Sequence, residues 1–188
     1  ESMQLNRSPR VLFIINLLTF INDYYNDLAL AHVVYYWQVI KKQNNSMLKK
    51  IVIIGPESTG KSTLCEQLAE HCETAWCPEV AREFLHTNGT DYEFDDLLTI
   101  AKGQLALEDE YTARLEQQAE PMMESGGNLP LFLDTDMYVM KVWCEFVFNR
   151  CHRFVLEQIG ERSYDLYLLC NIDLPWVKDE LREYPDLH

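Results

Sequence analysis

The sequence predicts an α/β protein, a parallel sheet with helices on both faces, and three observations carry that reading. Four β-branched residues, Ile51-Val52-Ile53-Ile54, run straight into a glycine-rich octet, Gly55-Pro-Glu-Ser-Thr-Gly-Lys-Ser62. From Leu48 onward short apolar runs alternate with helix-length amphipathic stretches. A later apolar run, Leu131-Phe132-Leu133, stops at Asp134. Such alternation is what strands joined by crossover helices look like in sequence.

The first strand is expected over residues 50–54, where an unbroken β-branched run favours burial on both faces. A helix over 62–72 turns Leu64, Leu68 and Ala69 inward, and 74–77 forms a short second strand. Residues 94–116 form a long amphipathic helix, with Leu97, Leu98, Ala101, Leu105 and Leu115 at helical spacing. A loop containing Pro121, Gly126 and Gly127 leads to a third strand at 131–133. One or two helices cover 136–162, and 166–170 is a fourth strand. A parallel sheet of this class buries its outer strands, so without a further strand residues 166–170 become an exposed apolar edge.

The first 46 residues read differently. Residues 11–21 are apolar apart from Asn16 and Thr19, about half of the ~20 residues a bilayer span needs. A polar break at 22–27 precedes the apolar, aromatic stretch 28–40, and 41–46 reads as linker. We expect a short packed helical extension. Membrane contact by residues 11–40, with Tyr35-Tyr36-Trp37 as an interfacial anchor, is the weaker alternative. No small-residue cleavage site follows the apolar run, which argues against a secretory signal. Met47, directly before Leu48-Lys49-Lys50, looks like a natural start. The chain thus divides into an extension over 1–46 and a domain over 47–188.

With 188 residues, 47% of them hydrophobic, the chain suits one domain with a core of its own. Its formal charge of −14 repels nucleic acid and anionic membranes, and no basic cluster interrupts that balance. The six cysteines include no Cys-x-x-Cys pair. Cys65, His71, Cys72 and Cys77 crowd together without the spacing of a zinc site. Reduced, buried thiols of a cytoplasmic protein are the expectation.

The octet matches GxxxxGK[ST] at the end of a strand and the start of a helix, the context of a phosphate-binding loop. Its glycines let the backbone turn tightly and aim N–H groups at a phosphate. Gly55, Glu57, Ser58, Thr59, Gly60, Lys61, Ser62 and Thr63 are the expected nucleotide-binding residues. Lys61 reaches the β- and γ-phosphates of ATP, and the Ser62 hydroxyl ligates Mg²⁺. Asp134, ending a strand beside the first, is the second expected metal ligand, with capping of the next helix as the alternative. Asp136 either caps the next helix or shares in the site's metal or catalytic chemistry, in contact with an acceptor substrate.

Glu79 and Arg82 follow the second strand in Cys-Pro-Glu-Val-Ala-Arg-Glu. The carboxyl end of a strand faces the ligand crevice, so Glu79 can orient or deprotonate an acceptor hydroxyl while Arg82 braces the moving phosphoryl. A surface salt bridge is the alternative for this pair. After the fourth strand comes Asn-Ile-Asp-Leu-Pro-Trp176-Val-Lys-Asp179-Glu-Leu-Arg182. In small-molecule kinases this position holds a lid, and Arg182 would be its phosphate-closing arginine. Trp176 stacks on a ring or fills core.

Together these segments resemble the ribosylnicotinamide kinase domain of the bacterial NAD-biosynthesis regulators. The resembling pieces are the octet, Glu79-Val-Ala-Arg82-Glu83-Phe84, Phe132-Leu-Asp134-Thr135-Asp136, Tyr164-Asp-Leu-Tyr-Leu-Leu and Pro175-Trp176-Val-Lys-Asp179-Glu-Leu-Arg182, running from Met47 to the last residue. The resemblance implies a P-loop kinase that transfers a phosphoryl from ATP to the 5′-hydroxyl of nicotinamide riboside. Two departures stand out. Residues 1–46 can hold neither the adenylyltransferase domain nor the helix-turn-helix of larger members. The family pattern also continues past the position of His188 with more lid, a fifth strand and a final helix, so the sheet reads as truncated before its last strand. A kinase for another nucleoside, or a nucleotide-binding switch or accessory ATPase without an acceptor, are the rivals. No Asn-Lys-x-Asp guanine reader occurs, and no Asp-Glu pair of a AAA-type motor ends the third strand.

Overall fold

The computed structural model describes residues 11–15, 48–119, 128–172 and 174–181. Five parallel strands form one sheet: β1 (Val11–Ile15), β2 (Leu48–Ile54), β3 (Trp76–Cys77), β4 (Leu129–Asp134) and β5 (Leu166–Cys170), in spatial order β1-β5-β2-β4-β3. The helices are α1 (Lys61–His71), α2 (Val80–Asn88), α3 (Phe94–Ala119), α4 (Met137–Phe148) and α5 (Arg153–Glu161).

Period-two alternation in the central strands distributes side chains to the two faces. Ile51, Ile53, Phe132, Leu166 and Leu168 pack with Leu64 and Leu68 of α1 on one face. Val52, Leu131, Leu133 and Tyr167 pack with Leu115 of α3 on the other. Helices on both faces are thus what these strands demand, as expected. Beyond the sheet, α2 to α5 join in a further apolar cluster around Leu97, Ile100, Met140 and Val155.

At the end of the sheet remote from the glycine-rich loop, Lys49 is fully buried and pairs with Asp165 at 3.4 Å. There Asp165 also accepts the Lys50 N–H at 2.9 Å, and Glu108 of α3 binds Lys50 Nζ at 2.9 Å. Lys49 and Lys50 sit on opposite sides of β2, and each buried charge has its partner, as burial requires.

One expectation needs correction, and two points left open are filled in. The helix α2 was not assigned from sequence, although its Val80, Ala81 and Leu85 lie at helical spacing. Residues 136–162 hold two helices, separated where Asn149 takes a left-handed φ of 52°. Most consequential, residues 11–15 are a strand and not part of a helical extension. β1 pairs with β5 along its full length, Val11 opposite Leu166 and Ile15 opposite Cys170, so the predicted exposed apolar edge is covered. The rest of the extension, including 28–40, lies outside the described residues, and no described helix is long and apolar enough to cross a membrane.

Candidate active site

β2 ends at Ile54, and the chain turns through Gly55–Gly60 into α1. Gly55 has φ 153°, and a Cβ there would stand 2.9 Å from the Cys170 carbonyl oxygen of β5 and 3.0 Å from Thr59 Oγ1. Glycine is therefore required by close approach as well as by φ. Gly60 (φ 75°) and Ser58 (φ 60°) are left-handed, which folds the loop back on itself. Thr59 is fully buried and donates to Pro56 O at 2.8 Å, stapling the loop from inside. Lys61 Nζ donates to the same carbonyl at 2.8 Å.

The N-cap of α1 is Gly60, which has no side chain to bond the first N–H groups, and no acid stands in the first turn. Those N–H groups and the positive end of the helix dipole form an anion site. All eight predicted nucleotide residues of the loop line one cleft of about 650 Å³, together with Glu79, Arg82, Asp134 and Trp176.

Asp134 is 1% exposed. Its Oδ2 accepts from Ser62 Oγ at 2.5 Å, while Oδ1 is buried without a hydrogen-bond partner. Burial pushes this carboxyl above its ordinary range, and the Ser62 hydroxyl and the Lys61 charge pull it back. An orphaned carboxylate oxygen beside a serine hydroxyl fits a divalent cation that takes one or two protein oxygens and completes its shell with phosphate and water, the habit of Mg²⁺. No group of three or more His, Cys, Asp or Glu capable of holding a metal occurs among the described residues.

Thr135 adopts φ 84°, a costly conformation for a β-branched residue (~1–3 kcal/mol). Its N–H donates to Ile53 O at 3.1 Å. On either side of it the two aspartates find different surroundings. Asp136 does not line the cleft: Oδ1 accepts from the Tyr138 and Val139 N–H groups at 2.9 and 3.2 Å, and Oδ2 accepts from Tyr167 OH at 3.0 Å. Of the two roles considered for Asp136, the helix cap is the one its geometry serves.

Glu79 is the N-cap residue of α2, half-buried in the cleft wall. Desolvation raises its carboxyl pKa, opposed by the Lys61 charge and reinforced by Asp134. The turn carrying it is pinned from behind. Gln104 of α3, 3% exposed, accepts from Val80 N at 2.8 Å and donates to Pro78 O at 3.1 Å. Gln104 was not picked out from sequence. Its one signal was a polar residue beside Leu105 on the inward face of a long helix.

The far wall was also missed. Tyr92, Trp143 and Phe146 line it, with Trp143 Nε1 donating to Tyr92 OH at 2.9 Å and the two rings meeting edge to face at 5.1 Å. Val142 and Phe146 on α4 remain 65% and 57% exposed. An apolar stripe at 139, 142, 143 and 146 was visible in the sequence and reads equally as core. Across the cleft, Trp176 is half-buried and its Nε1 is enclosed without an acceptor. Arg82 pairs with Asp179 at 2.6 Å. Arg182 lies outside the described residues.

Residues 50–188 match a protein family described as AAA domain, AAA_28. The chain belongs to this family. Its AAA domain is a P-loop fold, with Thr135 following Asp134 at the end of β4 where the motors have an Asp-Glu pair. Over 152 residues, 78% of the chain, it is 30% identical to the trifunctional NAD biosynthesis/regulator protein NadR of Escherichia coli (strain K12). It spans about a third (34%) of that relative's length. It is 29% identical over 119 residues to the adenylate kinase isoenzyme 6 homolog of Drosophila melanogaster, covering 61% of each. Among solved structures, NadR protein in complex with NR shares the fold at TM-score 0.54 and 22% identity, over 77% of this chain and 41% of that one.

Proposed function

We propose that this AAA domain is an ATP-dependent small-molecule kinase that phosphorylates nicotinamide riboside to nicotinamide mononucleotide, in the cytoplasm and within NAD salvage. The observation that carries the reading is one cleft lined by a phosphate-binding loop, a carboxylate with an orphaned oxygen, a desolvated glutamate and a group of aromatic rings. The likeness to NadR, and a neighbour of this fold crystallised with NAD and AMP-PNP, support the same reading.

Each residue has a task in that chemistry. The Gly55–Ser62 backbone and the α1 N-terminus hold the triphosphate, and Lys61 leaves the Pro56 carbonyl to follow the γ-phosphoryl. Ser62 and Asp134 would hold Mg²⁺, which would supply positive charge against the bound triphosphate. Glu79 takes the proton of the acceptor hydroxyl as its oxygen attacks the γ-phosphorus and ADP leaves. A raised carboxyl pKa brings Glu79 nearer to the operating pH of a general base. Arg82 braces the transferring group. The Tyr92–Trp143–Phe146 wall suits a planar, positively charged ring, since aromatic faces attract cations.

A nucleoside panel assayed with Mg-ATP tests the proposal. Nicotinamide riboside should be the preferred acceptor, with nicotinamide mononucleotide and ADP formed in equal amounts. Preference for another nucleoside would keep the kinase and change the acceptor, and ADP release unaffected by every acceptor would favour the accessory ATPase.

A further inference from the structure

Residues 174–181 leave β5 and cross the cleft as a strap tied down at three points. Val177 N donates to Ser58 Oγ of the phosphate loop at 2.9 Å. Arg82 Nη2 of α2 donates to Asp179 Oδ2 at 2.6 Å, and His86, one helical turn on, meets Glu180 at 3.3 Å. Asp179 Oδ1 accepts from Leu181 N at 3.1 Å, so one carboxylate oxygen shapes the strap and the other holds the arginine.

We propose that Asp179 is a latch on Arg82, which the terminal phosphate of a nucleoside triphosphate displaces on binding. Arg82 lines the cleft, and its charge acts on both Glu79 and Asp134, so its guanidinium lies within the field of the phosphate site. Its side chain is 52% exposed, and an ion pair in such a setting is weak. A triphosphate offers Arg82 more charge and several acceptor oxygens, arranged for a forked contact. Exchange of partners is therefore favourable, and it releases one of the strap's two ties to α2 at the moment Arg82 is recruited, leaving His86–Glu180. In the absence of nucleotide the Arg82–Asp179 pair keeps Arg82 off the phosphate site. The inference rests on the cleft being a nucleoside triphosphate site.

The test is the affinity of the whole chain for Mg-AMP-PNP, by calorimetry, in a double-mutant cycle of Asp179→Asn and Arg82→Gln. Asparagine keeps the oxygen that accepts from Leu181 N, and replaces the charged oxygen that holds Arg82 with an NH2 group that cannot accept from it. Asp179→Asn should bind about two- to fivefold more tightly, or ~0.4–1 kcal/mol at about 1.4 kcal/mol per tenfold. In the Arg82→Gln background the same substitution should change nothing, because no latch is left to release. A gain that persists without Arg82 would show simple relief of negative charge and overturn the latch. So would an unchanged or weakened affinity in the single variant. A parent chain that binds no AMP-PNP would overturn the nucleotide site itself and the latch with it.

Discussion

Ser62 and Asp134, 72 residues apart in the chain, share a hydrogen bond of 2.5 Å. They meet because β2 and β4 are parallel neighbours with Ile53 opposite Asp134, so both strands deliver their ends to the same edge of the sheet. If the pair forms the cation site, Asp134→Asn keeps the strand but lowers turnover and raises the Mg²⁺ needed for half-maximal activity. A Mg²⁺ titration of the variant beside the parent checks this. Identical titrations would mean that Asp134 only anchors Ser62.

Lys61→Ala should reduce phosphoryl transfer by at least the order of 10³, since the charge that follows the migrating group is lost. Folding should survive, because the side chain's hydrogen bond is to the Pro56 carbonyl at the exposed loop. Circular dichroism and single-turnover kinetics on the same preparation separate the two effects.

Glu79 sets the expected acid limb of the pH–rate profile. Its carboxyl is raised by burial, and a general base works only when deprotonated. The rate should therefore fall as pH drops through a value above the ordinary glutamate range of about 4.3. Stability moves the other way: the folded state binds this proton more tightly than the unfolded chain, so Glu79 favours folding more as pH falls through the raised value. Glu79→Gln should abolish the limb along with most of the turnover. An acid limb that persists unchanged in the residual activity would assign it to another group.

Asp136→Ala removes the α4 cap and the Tyr167 partner together. The expected cost is ~1–2 kcal/mol of stability, read by urea denaturation. Half-maximal Mg²⁺ should stay where it is in the parent. A large shift in Mg²⁺ dependence would return Asp136 to the ligand chemistry.

Deleting residues 1–46 uncovers β5, whose Leu166 and Leu168 belong to the core and whose outer edge pairs with β1. An open apolar edge invites pairing with another chain. The deleted form should self-associate on size exclusion at concentrations where the full chain is monodisperse. A monodisperse deletion variant would show that β1 is dispensable for the sheet.

Much of this was local and so legible. A β-branched run, a glycine octet and a hydrophobic strand stopped by an aspartate announce their conformations through nearest neighbours, and β5 over Leu166–Cys170 was read to the residue. The strand at Val11–Ile15 was not, because an apolar run of that length suits a strand or a helix, and only the open edge of β5 decides between them. Gln104 and the Tyr92–Trp143 wall escaped for a related reason: polar or aromatic, they gain their roles from partners 24 to 51 residues away.

By itself the sequence determined the α/β class, the phosphate loop and the residues proposed to bind a nucleotide and its cation, since periodicity and the needs of a tight glycine turn act within a few residues. Tertiary structure alone decided which aspartate faces the cleft. Asp134 and Asp136 are the same residue type two positions apart. The left-handed turn at Thr135 separates them, and packing gives one to Ser62 and the other to Tyr167. That choice depends on which strands lie on either side of β4 and which helix follows it, and no local pattern encodes it.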